Sequence, residues 1–123
     1  MAMEMNNDVK RGCVYLADLG EYDGSVQGGT RPVLVLQNDI GNRFSPTTLV
    51  CPLTSKPKKQ MPTHVTLPIS AGLQKESVAL CEQIRVIDKT RLKKMVCRLS
   101  DDRLVTEINK GIMVSLGLSE RED

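Results

Sequence analysis

The chain has no tryptophan, two tyrosines and one phenylalanine in 123 residues. An aromatic-centred core is therefore excluded, and aliphatic side chains must fill the interior. A single histidine, His64, rules out chemistry that needs two imidazoles from one chain. The four cysteines, Cys13, Cys51, Cys81 and Cys97, contain no C-x-x-C pair. Each lies in or beside an apolar stretch, so they read as small, reduced, buried hydrophobes. No ligand spacing surrounds His64, and no metal site or cofactor is expected. No apolar h-region stands near the N-terminus and no long apolar run follows, so neither a secretion signal nor a membrane span is expected. The expected location is cytoplasmic. A net charge of +2 excludes a broad nucleic-acid-binding field.

The distribution of charge says more than its sum. Arg85, Lys89, Arg91, Lys93, Lys94 and Arg98 crowd a segment whose one acid is Asp88. Lys56, Lys58 and Lys59 make a second cluster, and the chain from Asp101 onward is net acidic. Such patches can grip phosphates, although a solvated surface accounts for the first run equally well.

The length suits one domain with a modest core, for which oligomerisation is a natural way to bury more apolar surface. The pattern predicts a flexible segment over 1–9, one domain over 10–118 and an acidic tail over 119–123. Strands are predicted at Cys13 to Leu19, Pro32 to Asn38, Thr47 to Leu53, His64 to Leu67, Ser77 to Ile84 and Met95 to Leu99. A Gly41-Asn42 turn is expected between Asp39 and Pro46. Ser100 is a candidate N-cap for a helix carrying Leu104, Val105, Ile108, Ile112 and Leu116 on one face, with Gly117 as its stop. The fold class is β-rich (α+β): a small β-barrel-like sheet closed by a C-terminal helix.

The most informative stretch is Gln27-Gly28-Gly29-Thr30-Arg31-Pro32, followed by Val33-Leu34-Val35-Leu36-Gln37-Asn38-Asp39. Gly28 and Gly29 can take positive φ, and Pro32 fixes the backbone just after the arginine. The four apolar residues that follow read as a strand buried on both faces. An arginine held this rigidly suits an anion or a transition state carrying negative charge. A hairpin with a merely solvated arginine is the plainer alternative.

With Lys10-Arg11-Gly12, Val14-Tyr15, Thr48 to Thr54, Pro62-Thr63-His64-Val65, Glu82 to Lys89 and Arg91-Leu92, this block resembles the MazF/PemK family of toxin endoribonucleases, Gram-positive branch. The blocks keep the family's order across nearly the whole chain. The resemblance implies an SH3-like barrel of the MazF/CcdB-like toxin fold. It also implies a homodimer and a MazE-like cognate antitoxin whose acidic segment covers the RNA groove. The implied activity is sequence-specific, ribosome-independent cutting of single-stranded RNA, chiefly mRNA, that inhibits translation and growth. It further implies that Arg31 and Thr54 are the catalytic pair.

Cleaving RNA without metal requires aligning the 2′-hydroxyl, removing its proton, stabilising a dianionic phosphorane and protonating the leaving 5′-oxygen. A guanidinium forks onto two phosphate oxygens, and a threonine hydroxyl adds a donor. Charge stabilisation is the role assigned to Arg31, since guanidinium does not deprotonate in proteins. Val26 stands where relatives often carry glutamate, which puts a glutamate base at that position in doubt. Cys13 stands where relatives often have aspartate.

For RNA contact the sequence offers Gln83 to read a base edge and Arg85 to hold phosphate. Tyr22 and Phe44 are candidates to stack on bases, and Gln27, Lys56 and His64 are further contacts. Two other functions fit parts of the pattern. A gyrase-directed poison of the same fold would carry a C-terminal tryptophan, which this chain lacks. A non-catalytic RNA-binding module would bind RNA unaffected by conservative changes at Arg31 and Thr54.

Overall fold

The computed structural model describes residues 9–21, 24, 26–57 and 59–119. Among them, an antiparallel seven-stranded sheet comprises β1 (Cys13–Asp18), β2 (Thr30–Val35), β3 (Thr47–Thr54), β4 (His64–Leu67), β5 (Ser77–Leu80), β6 (Arg85–Asp88) and β7 (Leu92–Arg98). A short helix, α1 (Asp39–Phe44), joins β2 to β3, and α2 (Asp102–Ser115) follows β7. The strand order is β4-β5-β3-β2-β1-β7, with β6 also paired to β3. Among the described residues no pairing joins the end strands β4 and β7. The ends of the sheet nevertheless approach: a Cβ built on Gly72 would stand 2.7 Å from Cys97 Cβ in β7.

Burial on both faces of β2 matches the sequence expectation. Val33 and Val35 join one apolar cluster with Val9, Ala17, Leu19, Val50 and Ile87. Leu34 faces the other, with Val14, Cys51, Leu53, Leu67 and Ile108. Strand alternation sends successive side chains to opposite clusters. Register shifts at Val14/Tyr15 and Leu16/Ala17 bend β1 where it meets β7.

The C-terminal helix forms as its spacing predicts, with one correction at its start. Asp101, not Ser100, is the N-cap, its carboxylate accepting from Arg103 N at 2.9 Å. Ile108 and Gly111 are its buried residues. A Cβ on Gly111 would lie 3.0 Å from Val65 Cγ2 and 3.1 Å from Cys81 Sγ, so α2 sits hard against β4 and the turn after β5. Burying Ile108 alone contributes about 1.5–3 kcal/mol. Gly117, with φ +75°, ends the helix, while Leu116 is 61% exposed and adds nothing to the apolar face.

Three stretches differ from the sequence expectation. Asp39 to Phe44 is helical rather than a turn, because Asn38 caps it, accepting from Gly41 N at 2.7 Å. The fully buried Asn42 donates to Gln37 O at 2.9 Å and accepts from Thr48 Oγ1 at 2.7 Å. Ser77 to Ile84 is not one strand, since a 3-10 turn at Cys81–Gln83 ends β5. Arg85–Asp88 then returns to β3 as β6. Lys89, counted in the basic run, is 4% exposed and donates from Nζ to Asn42 O. It is an internal tie and not part of a phosphate-binding surface.

Candidate functional site

The loop before β2 is closed at its base by Gly29 N donating to Gly20 O at 2.7 Å and Leu19 N donating to Gly29 O at 2.9 Å. Gly29 takes φ +71°, whereas the buried Gly28 does not have positive φ. The loop turns the Gly28 carbonyl back onto Arg31, whose Nε donates to it at 2.9 Å. That bond fixes the plane of the guanidinium. The terminal nitrogens have no protein partner among the described residues and remain for a ligand. Arg31 itself lies within β2, paired with Ala17, rather than ahead of the strand.

Thr54 ends β3, next to the strand that carries Arg31. Its Oγ1 accepts from Lys56 N at 3.2 Å, a local turn that orients the hydroxyl and leaves its proton to donate. Arg31, Thr54, Gln27, Lys56, His64 and Gln83 all line one cavity of about 490 Å³. Six residues scattered from the first loop to the turn after β5 thus line one cavity.

The turn Cys81–Gln83 supplies the far wall. Gln83 Oε1 accepts from Gln27 N at 2.9 Å, tying this turn to the glycine-rich loop. The acceptor expected to read a base edge is therefore already engaged by the protein.

Beside it stands Glu82, to which the sequence reading assigned no role in the site. Thr63 Oγ1 donates to Glu82 Oε1 at 3.0 Å, and His64 Nε2 lies 3.1 Å from Oε2. That pairing places a ring proton on Nε2 and leaves the buried Nδ1 without a partner among the described residues. Glu82 is the only carboxylate lining the cavity among the described residues, which it shares with Arg31, Lys56 and Lys59. Its one signal in the sequence was its place directly before Gln83.

Two predicted contacts are not brought here. Arg85 lies in β6 opposite Val50 and does not line this cavity. Phe44 is 77% exposed at the end of α1, with Arg43 5.5 Å from its ring centroid, away from the cavity. Tyr22 lies outside the described residues. Val26 lines the cavity rim and supplies no carboxylate there.

Known proteins share this arrangement of sequence and fold. Residues 10–116 match the family described as PemK-like, MazF-like toxin of type II toxin-antitoxin system. Endoribonuclease EndoA of Bacillus subtilis (strain 168) is 50% identical over 112 residues, 89% of this chain and 96% of its own. Endoribonuclease MazF of Staphylococcus saprophyticus is 50% identical over 112 residues, 89% of this chain and 92% of its own. A mycobacterial endoribonuclease solved in complex with its cognate antitoxin superposes with a TM-score of 0.77 at 25% identity, covering 92% of this chain and 99% of that one. With the matched segment spanning nearly the whole length, the chain belongs to the PemK/MazF-like family of type II toxins.

Proposed function

We propose that this protein is the toxin of a type II toxin–antitoxin pair, an endoribonuclease that cuts single-stranded RNA at a short motif. Its substrate is chiefly mRNA, cut independently of the ribosome, so that translation and growth stop. The observation that carries this reading is the convergence of Arg31 and Thr54 on one electropositive cavity walled by Gln83.

The reaction needs no metal. The 2′-hydroxyl loses its proton as its oxygen bonds phosphorus. The bond from phosphorus to the 5′-oxygen breaks, and that oxygen takes up a proton. The products are a 2′,3′-cyclic phosphate and a 5′-hydroxyl. The terminal nitrogens of Arg31 hold the two non-bridging oxygens as their charge grows, and the Thr54 hydroxyl donates to one of them. Glu82 takes the proton-accepting part that Val26 cannot fill. Its oxygens, held by Thr63 and His64, still have lone pairs for the 2′-hydroxyl.

The active form is a homodimer in the cytoplasm, restrained by a MazE-like antitoxin with an acidic segment. Ile40, Phe44, Leu49 and Val86 are exposed apolar residues, and Leu49 and Val86 are register partners on β3 and β6. Such a face supports self-association. No helix among the described residues is long and apolar enough to cross a membrane.

The test is cleavage of a long unstructured RNA in the presence of chelator, with end mapping. Discrete cuts bearing cyclic-phosphate and 5′-hydroxyl ends, lost in Arg31→Ala, are expected. Absence of cutting by a verified folded dimer across several RNAs would overturn the reading.

A further inference from the structure

Arg31, Thr54 and Lys56 line a second cavity as well as the first. They form a shared wall, with Gln83 and Glu82 on one side only. The second cavity, of about 660 Å³, lies toward Lys75 in the segment before β5 and Lys94 in β7. It is sized for one nucleotide. No carboxylate lines it among the described residues, and neither Lys75 nor Lys94 has an acidic partner there.

The chemistry of its lining is divided. Leu16, Pro32 and Met95 give an apolar side, and Met95 is 49% exposed. A thioether and a proline ring can carry a flat base in a cavity that no aromatic lines among the described residues. Gln74, exposed at the rim, presents both amide groups. Ser77 Oγ is already committed to Lys75 O at 3.0 Å.

A phosphodiester seated on the shared wall has a nucleotide on each side. If the first cavity holds one, the strand leaves over the wall into the second. We infer that this second cavity is the subsite for the nucleotide flanking the scissile phosphate on the side away from Gln83. Lys75 and Lys94 hold the next phosphate, Met95 and Pro32 carry the base, and Gln74 reads its edge. The inference rests on the endoribonuclease reading and adds a second determinant of the cutting motif. Lys94 reaches the site because β7 pairs with β1, placing it opposite Leu16.

The test starts from the mapped cut site. A short RNA centred on that site, with a 2′-deoxy group at the attacking nucleotide, binds without being cut. Two further probes lack all nucleotides on one side or the other of the scissile bond. The double variant Lys75→Ala/Lys94→Ala changes exposed side chains only. It should bind the full probe about tenfold more weakly, with a salt dependence shallower by about 1–2 in log–log slope. The same loss should appear with one trimmed probe and vanish with the other, which wild type and variant should bind alike. Gln74→Ala should relax the cutting motif at one position, on that same side.

Equal binding of all probes by variant and wild type would overturn the subsite. So would an equal loss on all three probes, which marks a diffuse field. A change in oligomeric state of the double variant in sedimentation would reassign the cavity to a contact between copies. Normal cutting with any of these results refutes the subsite alone, whereas no cutting by the unmodified protein removes the endoribonuclease reading beneath it.

Discussion

Arg31 is held by a carbonyl of its own loop, so the guanidinium plane is set before any ligand arrives. Replacing it with alanine should lower the cleavage rate by about 100-fold or more, as for loss of one pre-set donor to a developing oxyanion. Arg31→Lys should recover little of it, because an ammonium keeps the charge but loses the fork. Single-turnover rates on one RNA distinguish these from weakened binding. Glu82 offers a sharper test. Glu82→Gln retains the size of the side chain but cannot accept a proton. The rate should fall, while affinity for uncleavable RNA holds. An unchanged single-turnover rate would remove Glu82 from proton transfer. Gln83 was legible as a site residue, because an amide in a Glu-Gln-Ile-Arg block invited that reading. Its bond to Gln27 N was not legible, since it joins residues far apart in sequence.

The strands were the easiest elements to read, since their alternation or continuous burial is written locally. The helix α1 was not, because Gly41-Asn42 is strong turn chemistry. What decides it is Asn42, buried and bonded to Gln37 and Thr48. Lys89 Nζ also ends on its carbonyl. Asn42→Ala should strand buried donors and acceptors at about 1–3 kcal/mol each. Urea denaturation should show a loss of about 3 kcal/mol, and a loss near zero would mean that water replaces the amide. Gly72 marks another hidden constraint. With φ +110° and a would-be Cβ 2.7 Å from Cys97 Cβ, Gly72→Ala is strained and crowded at once. It should cost about 1–3 kcal/mol. Cys97→Ala should not rescue it, because the clash is with a Cβ that alanine retains. The break at Cys81–Gln83 was unreadable for a related reason. An apolar run continues through it, and only the separate pairing of β5 and of β6 with β3 reveals where the chain must turn.

For the molecule as a whole, the buried thiols oppose folding at alkaline pH. Cys51 is raised well above 9.0 by its hydrogen bond with Cys81 and by burial, and Cys13 and Cys97 are raised by burial. A raised folded pKa gives stability that is present below the unfolded value and lost as pH climbs above about 9. Lys89 works the other way, since burial lowers its pKa below 10.5 and favours folding as pH rises toward that value. Three thiols oppose one amine, so net stability under reducing conditions should decline from pH 9 upward. Denaturation midpoints across that range should show the decline, with a gentler slope in Cys51→Ala. A rise in stability over the same range would contradict the thiol account.

The sequence by itself determined the β-rich class, the C-terminal helix, the aliphatic core and the family, because alternation, helical spacing and the Gly-Gly-x-Arg-Pro block are local. It also marked Arg31 and Thr54. Only the tertiary structure decided that Glu82 and His64 pair inside the site, that Lys89 is buried, and that Phe44 and Arg85 lie elsewhere. The same holds for the second cavity, whose walls come from β1, β2, β3, β7 and the segment before β5. The physical reason is common to all of these. Each depends on which strand lies beside which, and β3 alone takes β2, β5 and β6 as neighbours. Non-local pairing of that kind leaves no mark in the spacing of residues along the chain.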